Sequence, residues 1–401
     1  MAITEKYKYT ISLKYMKKDT KEYVSIDSTK IDYMIIDREY DINNMPVVYI
    51  GLNLHDSLVK DMIKNYNSNL INLEVYKFKY DDDNFIPRLE EVYIRDQCTY
   101  LIIDTENNGT NSDLPNQPDS NEEDYVHIDI GLMKVSLIND IRTLFNQTFN
   151  NTTLTNAVCT ITNHIPNILI EPLSYGEELL NQISIYKDSV SKSIEELNNV
   201  KVLYSSPYRF FMDFDITYLL SSKGMGVPRK GEKILAVLIC IKKPADYMGM
   251  DDGMYVNKTQ KNYQINVCLD STSTYNDILT DKIYNNIMAI TNSGEKTQVD
   301  LNIDKSVYGS TKTKTVYIPN DNTHMAENIK AQTENGGVQI TLCKESIDTT
   351  VLSPNHRIII KHTDDNQDKD GDYLMTRKQE IFVRDAKDFI LSTIVSLKKI
   401  R

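Results

Sequence analysis

Tyr208-Arg209-Phe210-Phe211-Met212-Asp213-Phe214-Asp215-Ile216-Thr217-Tyr218-Leu219-Leu220 is the stretch on which the reading of the fold depends. It is nearly continuous aromatic and aliphatic, the side chains that fit a pleated, buried surface. The pattern predicts a strand in a β-rich core. Asp213 and Asp215 are two apart, so on one strand both carboxylates would share a face. Paired carboxylates serve elsewhere as acid and base or as metal ligands. Here no third acid or histidine follows at a useful spacing, and one wet face of a strand is the more economical account.

Strands dominate on both sides of this run. Downstream, Ile234 to Ile241 is fully apolar, as a central strand should be, while Tyr263, Ile265, Val267 and Leu269 alternate. Residues 297–303, 313–318 and 338–342 alternate in the same style, and 357–361 reads as a further strand. Upstream, Tyr7, Tyr9, Ile11 and Leu13 have a period of two, and Met45–Leu54 and Leu70–Phe78 read as strands. Helices are fewer. Leu137, Ile138, Ile141, Leu144 and Phe145 predict one over 131–147. Ser174 and Glu177 have capping-box spacing before Leu179, Leu180, Ile183, Tyr186, Val190, Ile194 and Leu197, which predicts helix to about Asn199, broken near Asp188. Phe389, Ile390, Ile394 and Leu397 predict a closing helix over 385–398. Asn150 to Thr155 reads as a polar turn.

Composition narrows the function. A chain of 401 residues suggests two to four domains at roughly 100–200 residues each. A net charge of −12 argues against gripping nucleic acid, which needs clustered Lys and Arg. An acidic wall would instead let DNA slide past. The 5 cysteines lie far apart, which is the usage of a reduced compartment. The N-terminus lacks an apolar signal region and no window suits a membrane span, so a soluble chain made in a cytoplasm is expected. Residues 106–124 are Asn, Gly, Ser, Asp and Pro with almost nothing apolar, a polar insertion.

The remaining motifs fail as sites. Asn366 to Arg377 imitates a calcium loop, with Asp368, Asp370 and Gly371, but its twelfth position is Arg377 where a bidentate Glu is required. Lys223 to Gly231 is glycine-rich, yet it lacks the phosphate-loop register, contains Pro228 and leads into a strand. His55, His127, His164, His324, His356 and His362 are isolated. No catalytic residue, cofactor or metal is expected, and the protein reads as one that binds and builds.

Two segments together resemble the baseplate hub proteins of contractile-tailed bacteriophages and related phage-tail-like particles. One is Met45-Pro46-Val47-Val48-Tyr49-Ile50 followed by Asn72-Leu73-Glu74-Val75-Tyr76-Lys77. The other runs from Asn167-Ile168-Leu169-Ile170-Glu171-Pro172-Leu173, through the helices and an exposed Tyr, to Ser205 and the strand ending at Leu220. The resemblance covers about half the chain and implies an α+β, β-rich fold. Two tube-like antiparallel β-barrel or sandwich domains would carry packed helices, beside a C-terminal β domain. The expected segments are 1–44 (extended strands), 45–165 (first tube-like domain, with loop 106–124 and helix 131–147), 166–296 (helices and second tube-like domain) and 297–401 (C-terminal β domain with its closing helix). It also implies a homotrimer that joins a six-fold tail tube to a three-fold central spike and leaves a channel for DNA. Its partners would be the tail tube protein, the central spike protein and baseplate wedge proteins, with no membrane and no specific nucleic acid. It would sit in the virion tail baseplate, assembled in the host cytoplasm. A tube initiator or fibre connector is the alternative, as is a cell-wall hydrolase using Asp213 and Asp215.

Overall fold

The computed structural model describes residues 6–17, 20–40, 45–65, 70–81, 84–106, 125–222, 234–241, 254–257, 263–269, 274–277, 286–291, 296–300, 313–318, 338–344, 352–362 and 367–400. Its first strands are β1 (Lys6–Met16), β2 (Tyr23–Ile26), β3 (Ile31–Glu39), β4 (Val47–His55), β5 (Leu70–Asp81), β6 (Asn84–Glu106) and β7 (Tyr125–Lys134), with helix α1 (Asp56–Asn65) after β4. Then come α2 (Val135–Arg142), β8 (Leu144–Thr153), α3 (Leu154–Thr162), β9 (Ile168–Ile170), β10 (Leu179–Ser189), α4 (Val190–Val200), β11 (Tyr208–Asp213) and β12 (Ile216–Ser221). The next strands are β13 (Ile234–Ile241), β14 (Met254–Asn257), β15 (Tyr263–Leu269), β16 (Thr274–Asp277), β17 (Asn286–Thr291), β18 (Lys296–Asp300), β19 (Thr313–Ile318), β20 (Val338–Lys344) and β21 (Arg357–His362). β22 (Gly371–Asp385) and β23 (Asp388–Lys399) complete the series. None of the described helices is long and apolar enough to cross a membrane.

The fold is β-rich with few helices, and its centre is an antiparallel eight-stranded barrel. The strands pair in the cycle β22–β3–β4–β7–β6–β5–β1–β23 and back to β22. Closure removes the open edges that a flat sheet would expose. Alternate residues fill the interior: Tyr9, Ile11, Leu13 and Tyr15 from β1, Ile128, Ile130 and Leu132 from β7, and Phe382 and Phe389 from the closing pair. At eight strands the lumen is just wide enough for such side chains, so the barrel is a packed core and not a pore. It draws strands from within 1–44, 45–165 and 297–401.

β22 runs beyond the barrel. Its first residues pair with β21, which lies beside β13, and β13 has a parallel partner on each side, β21 and β15. The expectation of a central strand at 234–241 is met. The β11–β12 hairpin, with β9 beside it, lies between two cores. Phe211, Tyr218 and Leu220 pack on Val237, Ile358 and Met375. Phe210, Met212 and Leu219 pack with Leu154, Ile194 and Leu197 of the helices. Burial on both faces is why this run shows no polar alternation.

Several predicted elements differ. The single strand over 208–220 is a hairpin that turns at Phe214 and Asp215, with Asp213 opposite Ile216, so the two aspartates do not share a strand face. Phe214 has φ 33°, a positive value costly for an aromatic residue, and the turn carries no Gly or Asn to announce it. The helix over 131–147 shrinks to α2, because Gly131–Lys134 complete the barrel strand β7 and Leu144 begins β8. The helix expected from Ser174 starts at α4. Leu179–Ser189 pairs with β8, and the cap is Ser189, whose hydroxyl accepts from the Lys192 N–H, not Asp188. Ser174 instead binds the Ser205 N–H at 3.1 Å. The closing helix over 385–398 is β23, rich in β-branched residues and locked to β22 by a turn at Ala386 and Lys387. The polar turn at 150–155 is the end of β8 and the start of α3, whose Thr153 cap accepts from the Asn156 N–H. Tyr204, before the hairpin, and Tyr208, its first residue, are buried, not exposed.

Candidate assembly core and exposed faces

The hairpin tip is clasped by charges from the barrel. Asp213 Oδ1 lies 3.0 Å from Arg38 Nε, and Asp215 Oδ1 lies 2.6 Å from Lys134 Nζ. Lys134 also reaches Asp96 Oδ1 at 2.6 Å. Phe214 packs against the barrel core, with the Arg38 guanidinium 5.1 Å from its ring centroid. A positively charged group over an aromatic face is attractive, and this packing helps hold the strained turn.

Behind the tip the charges are fully buried. Arg38 donates to Glu380 and, at 3.0 Å, to the Tyr93 hydroxyl. Tyr93 donates in turn to Glu380 at 2.6 Å, and Lys378 Nζ reaches Glu380 Oε1 at 2.9 Å. Burial alone would raise the Glu380 carboxyl, but Arg38, Lys378 and the Tyr93 hydrogen bond hold it down at about 2. Arg209 of β11 adds a further tie, its guanidinium donating to the Met375 carbonyl at 3.2 Å. Removing a single partner from such a network strands a buried charge.

The other predicted sites are dispersed. Asp370 Oδ1 accepts the His362 N–H at 2.7 Å, and Asp372 forms a bidentate pair with Arg357. His127 lies between Asp32 and Asp129 on the barrel's outer wall. His356 Nδ1 accepts the Ser353 N–H, and His55 caps the Ser57 N–H. His324, the glycine-rich segment 223–231 and most of the polar insertion 106–124 lie outside the described residues. Among the described residues no group of three or more His, Cys, Asp or Glu is arranged to hold a metal. Arg38, Lys134, Lys378 and Glu380 were missed because they come from distant segments. The available signal was local: Arg38 follows Met34 and Ile36 at inward positions of β3, and Lys378 and Glu380 precede Phe382 at inward positions of β22.

Two exposed faces complete the inventory. On the outer wall of the barrel, Ile35 stands opposite Tyr49, Tyr49 opposite Gly131, and Gly131 opposite Leu101. This leaves an apolar row across four strands. The β8–β10 pair is a two-stranded ribbon with Phe149, Leu180 and Ile185 turned into the helical core. Its other face carries Asn146, Thr148, Asn150, Gln182 and Ser184, all exposed.

No family model and no curated protein matches the sequence. Solved structures do match. A tail protein from Neisseria meningitidis MC58 is similar with a TM-score of 0.54 at 11% identity, over 98% of this chain and 97% of that one. The 43 kDa tail protein of prophage MuSo2 from Shewanella oneidensis has a TM-score of 0.51 at 11% identity, over 97% and 98%. A chain of the Francisella PdpA–VgrG complex has a TM-score of 0.51 at 10% identity, over 99% of this chain and 53% of that one. The chain therefore has, along nearly its whole length, a fold similar to that of these two tail proteins and of part of the PdpA–VgrG chain.

Proposed function

We propose that the chain is a structural component of a phage-type tail, and specifically the baseplate hub of a contractile tail. The observation that carries this is the end-to-end match to two tail proteins, with each chain covered almost entirely. In this reading three copies form a ring that joins the six-fold tail tube to the three-fold central spike, held by baseplate wedge proteins in the virion. The closed barrel is one of two tube-like units in each chain. Its packed interior supports the ring, because a channel for DNA then has to lie between copies. The net charge of −12 suits a wall along which DNA passes without binding.

The protein acts by assembly, not catalysis. Asp213 and Asp215 each face a barrel cation, which favours a clasp over an acid–base pair. Purified protein at micromolar concentration should have three times the 46.2 kDa chain mass by light scattering. A monomer at every concentration would overturn the trimer. Six or more copies per particle would favour a tube initiator or fibre connector. In a zymogram, neither wild type nor Asp213→Asn should clear cell wall. Clearing by the wild type alone would establish the hydrolase.

A further inference from the structure

Among the described residues, β8 and β10 pair only with each other, so each keeps one outer backbone edge without a strand. A two-stranded ribbon is marginal alone, and natural edges are guarded by Lys, Pro or inward charges. Here such guards are confined to one end, at Lys187 and Asp188 of β10. From Thr143 to Ile170 the sequence contains no Asp, Glu, Lys or Arg, and neither does Leu179 to Tyr186. The sole register shift, between Tyr186 and Asp188, lies at the far end. The barrel wall is different, with pairs such as Arg95–Glu74 and Arg377–Asp37 along it. The wet face of the ribbon presents amides and hydroxyls along its middle, with Thr148 and Ser184 hydrogen-bonded across it at 2.9 Å and the exposed Tyr186 ring opposite Asn146. Leu144 and Leu179, at its two ends, are 59% and 57% exposed.

We infer that the β8–β10 ribbon is the surface on which a second copy of this chain docks, the β8 edge of one copy pairing with the β10 edge of the next. Charge selects the occupant. Two chains of net charge −12 repel over most of their surfaces, and a ribbon whose only charges, Lys187 and Asp188, lie at one end is where identical copies meet with few like charges in contact. The two edges differ, so the contact is head-to-tail, and such contacts close into rings when the rotation allows. The backbone supplies the hydrogen bonds, and Leu144 and Leu179 lose their exposure at the seams. This inference rests on the oligomeric reading above and names its interface.

Hydrogen exchange on the wild type tests it. The β8 and β10 amides should exchange at least tenfold more slowly in the oligomer than after dilution to monomer, while the β3–β4 amides of the barrel stay unchanged. The double variant Asn146→Lys/Gln182→Lys, both at exposed positions, should keep its circular dichroism and melting temperature while its oligomer dissociates at least tenfold more readily. An oligomeric wild type whose ribbon amides exchange equally in both states, or a folded variant that assembles normally, would overturn the ribbon interface alone. A wild type that never assembles would overturn the functional reading itself.

Discussion

Glu380 is the residue whose behaviour is most open to measurement. It is buried beside Arg38, Lys378 and Tyr93, and its carboxyl is held down at about 2 against an ordinary 4.5. A group whose folded pKa is depressed contributes stability above its unfolded value and loses it as pH falls toward the folded one. Unfolding free energy from denaturant titration should therefore be flat in this contribution above about pH 5. It should then fall by on the order of 3 kcal/mol toward pH 2. Glu380→Gln should remove that acid step. It should also cost about 3–5 kcal/mol at neutral pH by leaving Arg38 and Lys378 buried without their anion. A variant with the wild-type pH profile would show that the network does not depend on this carboxylate.

Among the elements, legibility followed burial. β1, with one wetter face, and β15 were readable from alternation, and β13 was readable from its apolar run. Three segments misread as helix have apolar residues whose spacing also fits 3.6, and long-range partners decided them. β8 claimed Leu179–Ser189, β22 claimed Asp388–Lys399, and barrel closure claimed Gly131–Lys134. The hairpin turn at Phe214 was illegible because its conformation is held by packing on the barrel core and not by turn chemistry. The clasp was invisible for the same reason: its members meet only after the barrel has closed. The glycine in β4 gives a test at this scale. A Cβ on Gly51 would lie 2.4 Å from Tyr33 Cε1, and the Tyr33 hydroxyl donates to Asp129 at 2.7 Å. Gly51→Val should push the ring off that partner and cost about 1–3 kcal/mol by thermal melt. An unchanged melting temperature would mean that the outer wall yields freely there.

At the scale of the whole molecule, the barrel seam joins sequence extremes. Tyr9 of β1 stands opposite Phe389 of β23, and its ring meets Phe382 edge-on at 5.1 Å. A chain cut after residue 370 would lack β22 and β23, leaving β1 and β3 with open edges. It should aggregate on gel filtration, whereas the full chain elutes as a defined species. The seam also bears on timing. On the ribosome, β1 through β7 emerge early, yet they cannot form a cylinder until the last strands are made. Closure over such a sequence distance is slow. A chain that stops short of β22 and β23 has neither a closed wall nor the Glu380 and Lys378 that hold Arg38 in place for Asp213.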